Sequence, residues 1–164
     1  MIRELIDILD TLQLQHEQLI DLAEAKKEAV MGNQLDKLTE VTSRESRLVK
    51  QIGETEQRRV LATASILRKM GLKATARTTL SDLIVYVTTA SDKEKLTEAA
   101  RKLSARVQTL KRLNDQNMAL IQQAKDFNDF SLDLLTGGNE PDYIYAKPSV
   151  PGNRPKPNLF DSRA

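Results

Sequence analysis

Proline placement constrains this chain more than any other feature. All five prolines lie after Glu140, so 140 residues run without a single helix breaker of that kind. Five of the six Phe and Tyr residues also lie at or after Phe127. The sequence therefore divides into a long helix-forming body with little aromatic surface and a short end that cannot be helical throughout. Apolar and aromatic side chains collect at the junction and in the tail, the pattern of a scaffold that offers an adhesive end to another protein.

The body has the periodicity of packed helices. Ile2, Leu5, Leu9, Leu12, His16, Leu19, Ala23, Lys26 and Val30 recur at alternating steps of three and four, the seam of a helix lying lengthwise on another. Gly32-Asn33 is a left-handed cap pair, so a first helix is expected over about 2–31, roughly 45 Å long. Leu35, Leu38, Val41, Leu48, Ile52, Val60, Ile66, Leu67 and Met70 mark a second helix over about 34–70 that stops at Met70-Gly71. Its seam is thin, with Thr42, Glu45 and Glu56 at seam positions and Gly53 inside it, as expected of a helix with one side in water. The two-residue connection makes these helices an antiparallel hairpin.

Residues 72–78 show no period. Thr79-Leu80-Ser81-Asp82 has the spacing of a capping box and opens Leu83-Ile84-Val85-Tyr86-Val87. That run has β propensity, but a lone strand would find no partner, so a short helix is expected over about 80–89. Ser91-Asp92-Lys93-Glu94 is a second box, expected to start a helix over about 92–136 that ends at Thr136-Gly137-Gly138. Its marks are Leu96, Leu103, Val107, Leu110, Leu113, Leu120, Ile121, Ala124, Phe127 and Leu134. Asn117 falls between Leu113 and Leu120 on this row, where it either fixes helix register or faces water. The expected fold is an all-α antiparallel bundle of three long helices and one short helix, with a bundle domain at 1–138. A flexible proline-containing tail, disordered or extended, is expected at 139–164.

Composition removes several function classes. Absence of cysteine excludes disulfides, thiolate zinc sites and a cysteine nucleophile, and fits a cytoplasmic protein. No window approaches a membrane span, and Met1–Asp7 has acids where a signal peptide would be apolar, so no membrane insertion is expected. Mixed charges summing to only +2 give no footprint for nucleic acid. Arg101, Lys102, Arg106, Lys111 and Arg112 spread over more than one face, which suits a solvated surface or, second, an acidic partner. The lone His16 lies in the seam and is followed by Glu17-Gln18-Leu19-Ile20, so it lacks the Lys and Gly of a phospho-accepting histidine and has no companions for a metal site. No phosphate-binding loop or nucleophile elbow is present. No catalytic, metal or cofactor residue is assigned, and the chain is read as not an enzyme.

The strongest signal is the far end of the last helix. Phe127, Phe130, Leu134 and Leu135 share one face, which either packs on the hairpin or docks a partner helix. Tyr143-Ile144-Tyr145 and Leu159-Phe160 punctuate the tail as candidate docking elements. A structural coiled coil that dimerises through its first two helices is the alternative reading.

Taken together, the leucine-rich opening Ile2–Val30, the short element Thr79–Val87, the close Leu134-Leu135-Thr136-Gly137-Gly138, and the tail segments Tyr143-Ile144-Tyr145-Ala146-Lys147 and Leu159-Phe160-Asp161-Ser162-Arg163-Ala164 resemble the FlgN family of bacterial flagellar export chaperones. The resemblance implies a cytoplasmic protein that binds the hook-associated proteins FlgK and FlgL, shields their terminal helical segments from premature assembly and delivers them to the type III export gate. It places cargo binding at the end of the last helix, here Leu120, Ile121, Phe127, Phe130, Leu134 and Leu135. It also implies that a tail tyrosine, Tyr145 or Tyr143, contacts the export-gate protein FlhA. Oligomeric state is left open, a homodimer included.

Overall fold

The computed structural model describes residues 1–75 and 78–137. They form four helices in the order α1 (Ile2–Met31), α2 (Leu35–Lys69), α3 (Leu80–Tyr86) and α4 (Ala90–Thr136), with no strand among the described residues. The all-α expectation holds, three long helices and one short one included. The tail expected at 139–164 lies outside the described residues. The chain divides into two units between Asp126 and Phe127, the second described over residues 127–137.

Within the first unit, α1 and α2 close into the antiparallel hairpin. The turn is a Schellman motif: the Asn33 N–H donates to the Val30 carbonyl and the Gln34 N–H to the Ala29 carbonyl. Asn33, not Gly32, takes the left-handed conformation, at φ 50° against φ −85° for Gly32. Asparagine tolerates that region best among residues with a side chain, so the cap pair works with its roles exchanged. The end of α2 repeats the motif with Gly71 at φ 74° and the Leu72 N–H bonded back to the Leu67 carbonyl. Leu72 then lies on the core beside Leu67, the hydrophobic contact that accompanies such caps.

The thin seam of α2 is filled by polar means. Thr55 and Thr63 are buried and return their hydroxyls to the carbonyls four residues back, Gln51 and Arg59. Lys26 of α1 pairs with Glu45 of α2 across the hairpin, both side chains largely covered. Leu35 and Val60, marked as seam residues in the sequence, face outward.

The Thr79 box forms as read. Its hydroxyl accepts from the Asp82 N–H at 3.1 Å while Asp82 Oδ2 accepts from the Thr79 N–H at 2.8 Å. The short helix wins over β propensity because it inserts Leu83, followed by Val87, into the core. It ends at Tyr86, three residues earlier than expected. The Ser91 box does not start α4. The helix begins at Ala90, the Lys93 N–H donating to the Thr89 carbonyl, so Ser91 lies inside the first turn rather than capping it. One acid of that box, Asp92, still sits where it complements the helix N-terminus.

α4 runs parallel to α1, since Glu17 meets Arg106 and Ala23 meets Asn117 further along both helices. The main core joins Leu5, Ile8, Leu9 and Leu12 of α1 to Ile66 and Leu67 of α2, Leu83 of α3, and Leu96 and Ala99 of α4. A smaller cluster of Leu19, Leu22, Val41 and Leu48 lies nearer the hairpin turn, with Leu110 of α4 against it. Ile8, Leu22 and Ala29 are buried beside the expected α1 seam because α1 is covered by two helices rather than one.

Candidate functional site: the exposed end of a helical seam

Steps of three and four from Leu96 pass through Ala99, Leu103, Arg106, Leu110, Leu113, Asn117, Leu120 and Ala124, and continue to Phe127, Ser131 and Leu134. Burial along this one row changes sharply. Leu96, Ala99, Leu113 and Asn117 are buried, and Leu103, Leu110, Leu120 and Ala124 are half-buried. Phe127 and Leu134 are both 68% exposed. A seam normally stays apolar only where something covers it, because an isolated amphipathic helix gains nothing from such a row in water.

Polar residues on the covered part of the row each meet a partner on α1. Arg106 reaches Glu17 at 2.5 Å. Asn117 is 3% exposed, and its Nδ2 donates to the Ala23 carbonyl at 2.8 Å. The sequence left Asn117 between a register-fixing role and solvent, and the structure places it in the seam. Its Oδ1 has no hydrogen-bond partner, and the Nδ2 bond to a carbonyl fixes which way the amide points.

The six residues expected to bind cargo fall in both units. Leu120 and Ile121 belong to the first unit, where Leu120 is half-buried on the seam and Ile121 is exposed off it. Phe127, Phe130, Leu134 and Leu135 belong to the second unit and are brought together on one side of the helix, all exposed. Leu132, three residues before Leu135, is also exposed and was not among the expected residues. Tyr143 and Tyr145, the export-gate candidates, lie outside the described residues.

Other candidate chemistry resolves into structure. His16 is half-buried, with Nδ1 facing the Leu12 carbonyl at 2.7 Å, so that nitrogen carries the proton. The ring borders a groove of about 730 Å³ in the first unit, where Arg59 and Glu56 satisfy each other through paired hydrogen bonds. Arg101, Lys102, Arg106, Lys111 and Arg112 are all exposed, with Arg101 and Lys102 paired to Glu98. The Arg101 hydrogen bonds hold the Glu98 carboxyl below its usual range. Among the described residues, no three His, Asp or Glu side chains are grouped to hold a metal ion, and no helix is long and apolar enough to cross a membrane.

A helical hairpin joined by a short capped helix to a long fourth helix, whose apolar row continues into solvent, is the architecture on which the comparisons bear. The family described as FlgN protein matches residues 1–149. The chain belongs to the FlgN family. A curated relative, described as the uncharacterized protein YvyG of Bacillus subtilis (strain 168), is 30% identical over 165 residues, covering 99% of this chain and 98% of its own length. No solved structure matches. Membership of the FlgN family gives the chain the general role of a flagellar export chaperone rather than an enzyme, one that works through binding to flagellar hook-associated proteins.

Proposed function

We propose that this FlgN-family chain holds the hook-associated proteins FlgK and FlgL in the cytoplasm by their C-terminal helical segments, prevents their premature self-association and delivers them to the type III export gate. The observation that carries this reading is the exposure of Phe127, Phe130, Leu134 and Leu135 on one side of α4. A cargo helix with an apolar stripe would self-associate if left bare, and an amphipathic helix covers such a stripe without chemistry. Burying each anchor contributes roughly 1.5–3 kcal/mol, so three or four of them reach micromolar affinity after ordering costs. That strength suits a chaperone, which must release what it holds.

Phe127→Ala combined with Leu134→Ala is expected to weaken binding of both hook-associated proteins in a calorimetric titration while helical content by circular dichroism stays. Unchanged affinity removes the assignment. Delivery is assigned to the tail, with Tyr145 or Tyr143 meeting FlhA. Tyr145→Ala is expected to retain cargo and lose FlhA in a pull-down. Equal recovery of FlhA by Tyr145→Ala and by Tyr143→Ala would remove that part alone.

A further inference from the structure

The seat of α3 is longer than α3. Leu83 and Val87 are buried in the core that holds Leu9 and Leu12 of α1, Leu67 of α2 and Leu96 of α4. The rows that reach this core run on past the start of α3. Steps of four and three from Leu67 lead back along α2 to Thr63, Val60, Glu56, Gly53 and Val49, all within about 40° of one direction. Steps from Leu96 lead along α4 to Ala100, Leu103 and Val107. Leu67, Thr63 and Leu96 are buried, whereas Val49, Val60 and Val107 are exposed. The space beyond α3 is the groove of about 730 Å³, lined by Leu12, Ile52, Leu103 and Val107, with Thr79 and Leu80 at one end.

Gly53 points the same way. It has no positive φ, and a Cβ there would meet nothing within 4 Å. Glycine is unfavourable inside a helix, so neither the backbone nor crowding within this chain accounts for it. A second helix crossing α2 closely would.

We propose that this groove seats an amphipathic helix of a partner protein, laid between α2 and α4 beyond the start of α3. The partner presents uncharged apolar residues at the spacing of Leu80, Leu83 and Val87, the residues with which α3 meets the same core. This seat is separate from the end of α4 and does not rest on the docking reading above. A helix is the fitting occupant because α3 already fills the adjoining part of the seat as one, and rows at steps of three and four receive helix ridges. The ionisable side chains lining the groove are His16, Glu56 and Arg59. Glu56 and Arg59 satisfy each other, and His16 Nδ1 faces the Leu12 carbonyl, so the groove asks for no charge in return. A small ligand would need free polar groups converging on it.

The test uses the full chain carrying Phe127→Ala and Leu134→Ala, so that the end of α4 does not compete. It is titrated with a neutral synthetic helical peptide whose leucines stand at steps of three and four, and with an isomer of the same composition and broken spacing. The regular peptide is expected to bind about tenfold more tightly than the isomer. Its affinity should change less than about twofold between low salt and about 1 M. Val60→Glu with Val107→Glu, both at exposed positions, should weaken it about tenfold by bringing unpaired carboxylates under the peptide, with circular dichroism confirming the fold. Gly53→Leu should raise the melting temperature, because leucine is the better helix former, and yet weaken the peptide about tenfold. Equal binding of the two isomers overturns the proposal, and so does a steep loss of affinity with salt. Binding of neither also overturns it, the result expected if another segment of this chain filled the groove. Affinity left intact by Gly53→Leu and by the two glutamates overturns it as well. A dimer in size-exclusion chromatography that Val107→Glu dissociates would make a second copy the occupant, and the partner helix would fall.

Discussion

The two ends of α4 carry the same seam and treat it in opposite ways. At Leu96 and Ala99 the row is sealed, Leu96 completely, by side chains from α1, α2 and α3. At Phe127 and Leu134 apolar groups on the same row stand in solvent. Periodicity therefore tells that a face is built for a helix to lie on, but not whether that helix belongs to the same chain. The covered end has the smaller residues and supports the fold. The exposed end has the larger and more aromatic ones, the types that dominate recognition surfaces.

The largest expected effect separates the two ends by stability. Leu96→Ala should cost about 2–5 kcal/mol in urea unfolding, because it removes a fully enclosed leucine between packed helices. Phe127→Ala should stay within about 0.5 kcal/mol of wild type, since an exposed side chain leaves no cavity. If Phe127→Ala cost as much as Leu96→Ala, the exposed end would be part of the fold and the comparison would collapse.

Much of this division was readable in the residues, and the unread parts have physical reasons. Proline placement and three-and-four spacing located four helices to within a few residues, and the Thr79 box was sound because both of its hydrogen bonds are local. The Ser91 box failed because a motif of the same chemistry can sit within the first turn of a helix that starts before it, here at Ala90. The weak seam of α2 was visible, but its remedy, the Lys26–Glu45 pair and two buried threonines, depends on which residues face each other across the hairpin. At the candidate site, the sequence grouped Leu120 with Phe127 because both lie on one row. Spacing alone does not distinguish Leu120, half-buried in the first unit, from Phe127, exposed in the second.

Asn117 sharpens the comparison, as a buried polar residue on the covered row about two turns before Ala124. It makes one hydrogen bond to α1 and leaves Oδ1 without one. A buried unpaired acceptor costs roughly 1–3 kcal/mol, and the Ala23 carbonyl it meets lies within a helix that already offers that carbonyl a backbone partner. Asn117→Leu is therefore expected to raise stability by about 1 kcal/mol while widening the choice of register between α1 and α4. Chemical denaturation measures the first effect, and line broadening of α4 amide signals in NMR measures the second. A more stable variant with undiminished, sharp signals would strip Asn117 of any register role. A less stable one would mean that the single amide hydrogen bond outweighs the unpaired oxygen.

The smallest expected effect tests what keeps the covered end covered. α3 contributes Leu83 to the same core as Leu96, and α3 is only seven residues long, so its start matters. Thr79→Ala should cost about 1 kcal/mol, the usual loss for an N-cap hydroxyl. Asp82 adds a pH signature. The hydrogen bond from the Thr79 backbone N–H, helped by the Thr79 side chain, holds its carboxyl below the ordinary value of 3.8. A lowered value in the folded state means that the stabilisation is in place above pH 3.8 and is lost as the pH falls through the lower folded value. The stability difference between wild type and Asp82→Asn should accordingly be constant at neutral and mildly acidic pH and shrink below pH 3.8. A difference that stayed constant as the pH fell below 3.8 would mean that the Asp82 carboxylate does not hold the start of α3.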